Sequence, residues 1–142
     1  MKLIAFLIFF LFNVSTNPWH TDLEAAKMEA KNSGKFILLS FSGSDWCLPC
    51  MKLKKNVFEM EEFVEYASTS LVLVNADFPR LKANALSKEQ VKKNEALAEK
   101  YNPYGKFPLT LLLDADGRIV KEWDGYTNFT AKEFINQVKL CL

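Results

Sequence analysis

Short runs that are apolar throughout alternate along this chain with longer segments whose apolar residues recur every three or four positions. After a short loop, Asn17-Pro18-Trp19-His20, the stretch Thr21-Asp22-Leu23-Glu24 has capping-box spacing. It predicts a helix through about Asn32 with Leu23, Ala26 and Ala30 as its apolar stripe. Gly34 stands just past that helix, where a left-handed residue is common. Phe36–Phe41 is a short apolar run and reads as a strand buried on both faces. Ser42–Asp45 predicts a turn, and a second helix begins at Cys47, with Pro49 tolerated in its first turn. Leu53 and Val57 continue an apolar face that bends near Phe58–Met60 and resumes through Tyr66. Leu71–Val74 predicts a second strand. Ser87-Lys88-Glu89-Gln90 repeats the cap spacing and starts a helix ending near Lys100, followed by a turn at Asn102-Pro103-Tyr104-Gly105. Leu109–Leu113 and Arg118–Trp123 are two further strands, joined by the Asp-Gly chemistry of Asp114-Ala115-Asp116-Gly117. Thr130-Ala131-Lys132-Glu133 caps a last helix with Phe134, Ile135 and Val138 on its apolar side.

The order of elements is α-β-α-β-α-β-β-α. A helical crossover joins the first two strands, so they are expected to be parallel and the crossover right-handed. The last two form a hairpin. The expectation is one α/β domain with a central mixed four-stranded sheet flanked by helices.

Residues 3–12 are wholly apolar and follow Lys2, a positive n-region and h-region of signal-peptide length. The run is about half what a bilayer span needs. Residues 1–16 are therefore expected to be a signal peptide and residues 17–142 the folded domain. The destination is then the periplasm or the outside of the cell, with membrane contact only through an uncleaved leader. A hydrophobic content of 49% with 25% charged residues fits a folded core and excludes a disordered tail. With 18 basic and 17 acidic residues, charge argues against nucleic acid or an anionic membrane as the main partner. Lys52, Lys54 and Lys55 read as a solvated helix face. Three cysteines are too few, and odd in number, for a disulfide scaffold.

The chemistry concentrates in Trp46-Cys47-Leu48-Pro49-Cys50. Two cysteines three apart, where a strand passes into a helix, can close a small disulfide ring. The first thiol then lies at the helix N-terminus, where free N–H groups and the helix dipole favour its thiolate. The second lies one turn in, further from water. Disulfide exchange needs that asymmetry: one thiolate to attack and one sheltered thiol to resolve the mixed disulfide. Pro49 removes a donor and stiffens the ring. Three other readings compete. Zinc needs about four ligands, and only the distant His20 and Cys141 are left to join. Copper would rest on Cys47, Cys50 and Met51. An inert structural disulfide is the third. The strand–helix setting favours the redox pair.

A second element is Lys106-Phe107-Pro108-Leu109-Thr110, with a proline at the entry of a strand, where the sheet tolerates it. If 109–113 runs antiparallel beside 36–41, Pro108 faces the cysteine ring. A cis Phe107–Pro108 bond would then turn the backbone of Phe107 outward to pair with an extended peptide, the alternative being an ordinary trans proline in a loop.

On these residues, with the Asp116-Gly117 hairpin and Gly125 after the last strand, the chain resembles the thioredoxin superfamily over about residues 20–142. Phe41-Ser42-Gly43-Ser44-Asp45-Trp46-Cys47, Lys52-Leu53-Lys54-Lys55 and Val74-Asn75-Ala76-Asp77-Phe78-Pro79-Arg80 are similar to stretches of small exported bacterial thioredoxin-like proteins. The resemblance implies a thiol-disulfide oxidoreductase with Cys47 as nucleophile, Cys50 as resolving thiol and a cis Pro108 beside them. Trp46, Leu48, Pro49, Phe107, Pro108 and Gly125 are the expected substrate groove. Partners would be protein thiols and disulfides and an upstream thiol or membrane electron donor. No cofactor beyond the cysteine pair and no metal is expected, since no flavin or nucleotide motif is present. A monomer is expected. Leu48 stands where the usual ring has glycine, and this bulkier exposed residue bears on partner choice. The family's buried aspartate falls at Ser40-Phe41, where there is no carboxylate. Asp45 lies in the turn instead, and Leu71–Val74 lacks the family's buried lysine, which leaves water to serve the proton on Cys50. No histidine lies inside the ring, which tilts the direction toward reduction. The competing function is a binding module that uses the groove beside Pro108 without redox turnover.

Cys141 reads as a small apolar residue or free thiol on the last helix, with pairing across a dimer as the alternative. His20 reads as a solvated loop residue. Asn128-Phe129-Thr130 fits a glycosylation sequon, but Thr130 explains itself as a helix cap. Trp123 and Tyr126 flank the end of the last strand, as core or as part of a surface near Gly125.

Overall fold

The computed structural model describes residues 17–142, so the expected leader at 1–16 lies outside the described residues. The elements are β1 (Trp19–His20), α1 (Leu23–Ser33), β2 (Phe36–Ser42), α2 (Leu48–Leu53), α3 (Glu61–Ser70), β3 (Leu71–Asp77), α4 (Lys88–Tyr101), β4 (Leu109–Leu113), β5 (Ile119–Asp124) and α5 (Ala131–Lys139). The strand order is β1-β3-β2-β4-β5. β2 pairs parallel with β3 and antiparallel with β4, and β4 pairs antiparallel with β5. The expected α/β architecture and mixed sheet are present.

The sheet has five strands rather than the expected four. The additional one is β1, which runs parallel to β3 with Trp19 opposite Leu73. Two residues carry no periodicity, so Trp19-His20 reads as loop from sequence although it joins the sheet edge. The first helix is capped by Asp22 rather than Thr21: Glu24 and Ala25 donate their N–H groups to Asp22 Oδ1 at 2.9 and 3.2 Å. β3 runs three residues past Val74 because Asn75 and Asp77, polar by sequence, still pair with Ser40 and Ser42.

Alternation along β2 divides the core. Leu38 faces a cluster with Phe63 of α3 and Phe134 and Val138 of α5. Ile37, Leu39 and Phe41 face the opposite cluster, with Ala26 and Ala30 of α1 and Tyr101 of α4. The expected bend after α2 is a wide π-helical turn, Lys54–Phe58. The Glu59 N–H reaches back five residues to the carbonyl of Lys54 at 2.9 Å. This turn seats Val57 and Phe58 in the core. Among the described residues no helix is long and apolar enough to cross a membrane.

The antiparallel register places Leu109 opposite Phe41. The start of β4 and the end of β2, two interior strands, therefore meet at one end of the sheet, where the chain turns into α2.

Candidate active site

At that end the chain leaves β2 through a tight turn in which Trp46 and Cys47 both donate to the carbonyl of Gly43, at 3.3 and 2.9 Å. Cys47 is the N-cap of α2, in extended backbone, and its sulfur accepts the N–H of Cys50 at 3.3 Å. Pro49 occupies the first turn, where its missing N–H has no helical partner to lose. Cys47 and Cys50 form a disulfide with their Cα atoms 5.2 Å apart.

The expected difference in exposure between the two cysteines is absent in this closed ring: each is 4% exposed. Ring closure ties Cys47 Sγ to its partner and to the Cys50 N–H. Cys50 also lines the larger hollow of the site, about 490 Å³, with Pro108, Ser40, Ser42 and Asn75. The sulfur expected to lie further from water thus faces a cavity of mixed lining, with Trp19, Leu53 and Phe58 beside the polar residues. Ser40, Ser42 and Asn75 line the same cavity as Cys50, and Glu59, paired with Lys54 at 3.5 Å, is the carboxylate on its wall.

Pro108 begins the approach to β4, and the Phe107–Pro108 peptide bond is cis. The loop before it is held by Asn102, a buried side chain that receives the Lys106 N–H and donates to the Lys106 carbonyl, both at 2.8 Å. The Lys106 ammonium binds Asp124 at 2.8 Å and Glu122 at 3.2 Å on β5. Gly125 follows β5 at φ 81°, a conformation that favours glycine, and its N–H donates to the Pro108 carbonyl at 2.9 Å. Phe107 itself keeps its N–H and C=O free of hydrogen bonds to the described residues.

Trp46 is fixed on several sides. Its indole N–H donates to the Phe78 carbonyl at 2.7 Å, and its ring meets Phe107 edge-on at 5.3 Å. The Arg80 guanidinium lies 3.7 Å above it. A Cβ on Gly43 would enter the indole, so only glycine fits beneath. Leu48 and Pro49 are the exposed part of the ring.

The structure therefore gathers Trp46, Cys47, Cys50, Phe107, Pro108 and Gly125 at one end of the sheet, with Leu48 and Pro49 projecting beside them. It leaves His20 and Cys141 elsewhere. His20 sits on β1 with Nε2 2.7 Å from Glu29, rather than in a loop. Cys141 follows α5 as a free thiol directed to the Gln137 carbonyl. Trp123 is core, its N–H on Gln137 Oε1 at 2.6 Å, while Tyr126 is half-buried. Thr130 and Glu133 form the expected capping box. Among the described residues no three His, Cys, Asp or Glu side chains gather within ligating reach of a metal.

Asp45 is not turned to Cys50. It accepts the N–H groups of Arg80 and Leu81 at 2.9 and 3.0 Å and the amide of Asn84 at 3.1 Å. The Arg80 N–H, opposed by some burial and aided by Asn84 and Leu81, holds the Asp45 carboxyl below the usual carboxylate value. Asp45 is thus a clamp on the 78–84 loop, which carries the Trp46 partners Phe78 and Arg80. Sequence reading did not assign this role, because the partners stand some 35 residues away with no local pattern linking them.

Residues 23–139 match the thioredoxin-like domain family. A disulfide bond reductase, DsbH of Chlamydia pneumoniae, is 32% identical over 124 residues, covering 87% of this chain and 72% of that protein. The thiol-disulfide oxidoreductase ResA of Bacillus cereus (strain ATCC 10987 / NRS 248) is 28% identical over 126 residues, covering 83% and 72%. Among solved structures, a DsbH oxidoreductase superposes with a TM-score of 0.79 at 31% identity, covering 87% of this chain and 83% of that one. The oxidised C-terminal domain of Neisseria meningitidis DsbD shares the fold, with a TM-score of 0.58 at 20% identity over 84% of this chain and 91% of that one.

Proposed function

From a chain that belongs to the thioredoxin-like family and closes a Cys47–Cys50 disulfide at one end of its sheet, we propose a thiol-disulfide oxidoreductase that reduces protein disulfides in an exported compartment. The observation that carries the reading is the placement of that disulfide. It caps a helix, lies beside Pro108 and a free Phe107 backbone, and is flanked by a fixed aromatic wall.

In the reducing direction the dithiol form acts. The Cys47 thiolate attacks one sulfur of the substrate disulfide, forms a mixed disulfide and releases the other substrate sulfur as a thiolate. Cys50 gives up its proton and attacks Cys47 Sγ. The Cys47–Cys50 bond forms, the mixed disulfide breaks and the second substrate thiolate leaves. Two electrons pass to the substrate, whose thiolates take up two protons. A donor dithiol then returns the ring to its reduced state by the same exchange.

Each part of the site has a task. The Cys50 N–H stabilises negative charge on Cys47 Sγ. The cavity that Cys50 shares with Ser40, Ser42, Asn75 and Glu59 admits water to Cys50, which serves its proton in place of a carboxylate in the preceding strand. Phe107 offers backbone groups to an extended substrate segment, in the manner of strand addition. Trp46 and Gly125 border that segment. No histidine stands in the ring to favour the reduced thiolate, which supports reduction as the direction. Export is supported by the apolar run at residues 3–12 after Lys2.

Replacing Cys50 by Ser removes the resolving step, so the variant is expected to accumulate mixed disulfides with partner proteins through Cys47. The Cys47→Ser variant is expected to trap none. Equal trapping by both variants, or trapping by neither, contradicts the assignment.

A further inference from the structure

We propose that the outer face of α2 and of the π-helical turn after it is a docking site for an acidic, extended segment of the disulfide substrate, which Lys52 and Lys55 read while Leu48 and Met51 support it. This deepens the oxidoreductase reading and rests on it.

Leu48, inside the disulfide ring, is 60% exposed, and Met51, one turn along the same helix, is 37% exposed. With Lys52, Lys55, Asn56 and Asn128 they line a hollow of about 460 Å³ that contains no carboxylate. Neither Lys52 nor Lys55 forms an ion pair among the described residues, whereas the neighbouring Lys54 is paired with Glu59. A third cation, Arg80, has its charge over Trp46, the residue before Cys47, rather than on a carboxylate. Acidic groups around the ring are occupied: Asp45 holds the 80–84 backbone, Asp77 accepts from the N–H and hydroxyl of Ser44 at 2.9 and 2.5 Å, and Glu59 pairs with Lys54, while Glu61 and Glu62 do not line the hollow. A chain that is nearly neutral as a whole, at +1, therefore presents unpaired positive charge beside its disulfide.

The dimensions suit a peptide. Lys52 and Lys55 stand four and seven residues after Leu48. That is about 6 and 10 Å along the helix, the span of two to three residues of extended chain. An occupant whose cysteine meets Cys47 would place acidic side chains two or three positions away opposite the lysines. The two asparagines supply amides for its backbone. An anionic membrane fits less well, because surface-binding patches carry about four to eight basic residues, and only Lys52 and Lys55 line this hollow.

The test uses the pre-reduced protein and two synthetic peptides. Each is closed by one internal disulfide, and they differ only in carrying two Glu or two Lys at the second and third positions from one cysteine. Neutral 2-hydroxyethyl disulfide reports the chemistry alone. Each peptide rate is divided by that of dithiothreitol on the same peptide. The Glu peptide is expected to be favoured about tenfold at about 20 mM salt, the ratio falling toward one near 500 mM. In the Lys52→Gln/Lys55→Gln double variant the ratio is expected to fall to about twofold or less, read within a single sample so that the amount of folded protein cancels. A ratio near one at low salt, with the neutral disulfide still reduced, overturns the docking site and leaves the oxidoreductase reading standing. Failure to reduce the neutral disulfide overturns that reading, and the docking site with it. A variant that loses a dimer, or loses retention on anionic vesicles, while the peptide ratio is unchanged assigns the hollow to a second copy or to a membrane and overturns the proposal.

Discussion

The N–H of Cys50 points at the sulfur of Cys47, 3.3 Å away, across the first turn of α2. Once the ring is reduced, that donor and the positive end of the helix face a sulfur able to carry negative charge. The reduced Cys47 is expected to react with iodoacetamide at pH 6 at least about tenfold faster than free cysteine. Thiolate absorbance at 240 nm on the Cys141→Ser background, followed against pH, checks the same point. A rate equal to that of free cysteine removes the electrostatic basis for Cys47 as the attacking sulfur.

Gly43 lies flat beneath the indole of Trp46, and an added methyl would enter the ring. Gly43→Ala is expected to cost about 1–3 kcal/mol of stability and to displace Trp46 from the Phe78 carbonyl. Urea unfolding measures the first effect and a change in tryptophan emission the second. An unshifted midpoint with unchanged emission would show that Trp46 is not fixed in this way.

Asp45 has a second, pH-dependent consequence. Its carboxyl titrates below the ordinary value of 3.8, chiefly because the Arg80 N–H binds the charged form. A depressed folded value means that the contribution to stability is present above pH 3.8 and is lost as the pH falls through the folded value. The wild type should therefore have a higher urea midpoint than Asp45→Asn at pH 7, with the gap narrowing below pH 3.8. A gap independent of pH would contradict the clamp.

Much of this site was legible because its signals are local. Cys47, Cys50 and Pro49 lie within four residues of one another, and Gly34, Ser87 and the Thr130–Glu133 box announce element ends through side chains that act on their own neighbours. Pro108 was placed by topology, since one antiparallel pairing of β4 with β2 brings it to the ring. What stayed hidden depends on distant partners. Trp19-His20 becomes a strand only because β3 lies beside it. Arg80 acquires its place through Trp46, and Asn102 through the loop it encloses. The two cysteines are equally buried in the closed ring, a state that spacing does not specify.

The central claim is that Cys47 and Cys50 exchange electrons as a pair in the reducing direction. Titration against glutathione and dithiothreitol buffers of graded poise, followed by alkylation and mass measurement, tests it most directly, with Cys141 as the additional free thiol in every molecule. The expected result is a single two-electron transition in which Cys47 and Cys50 gain two alkyl groups together, at a potential below about −230 mV, on the reducing side of the glutaredoxins. A pair that stays closed across the whole range, or that opens only at a potential as oxidising as about −120 mV, contradicts the account.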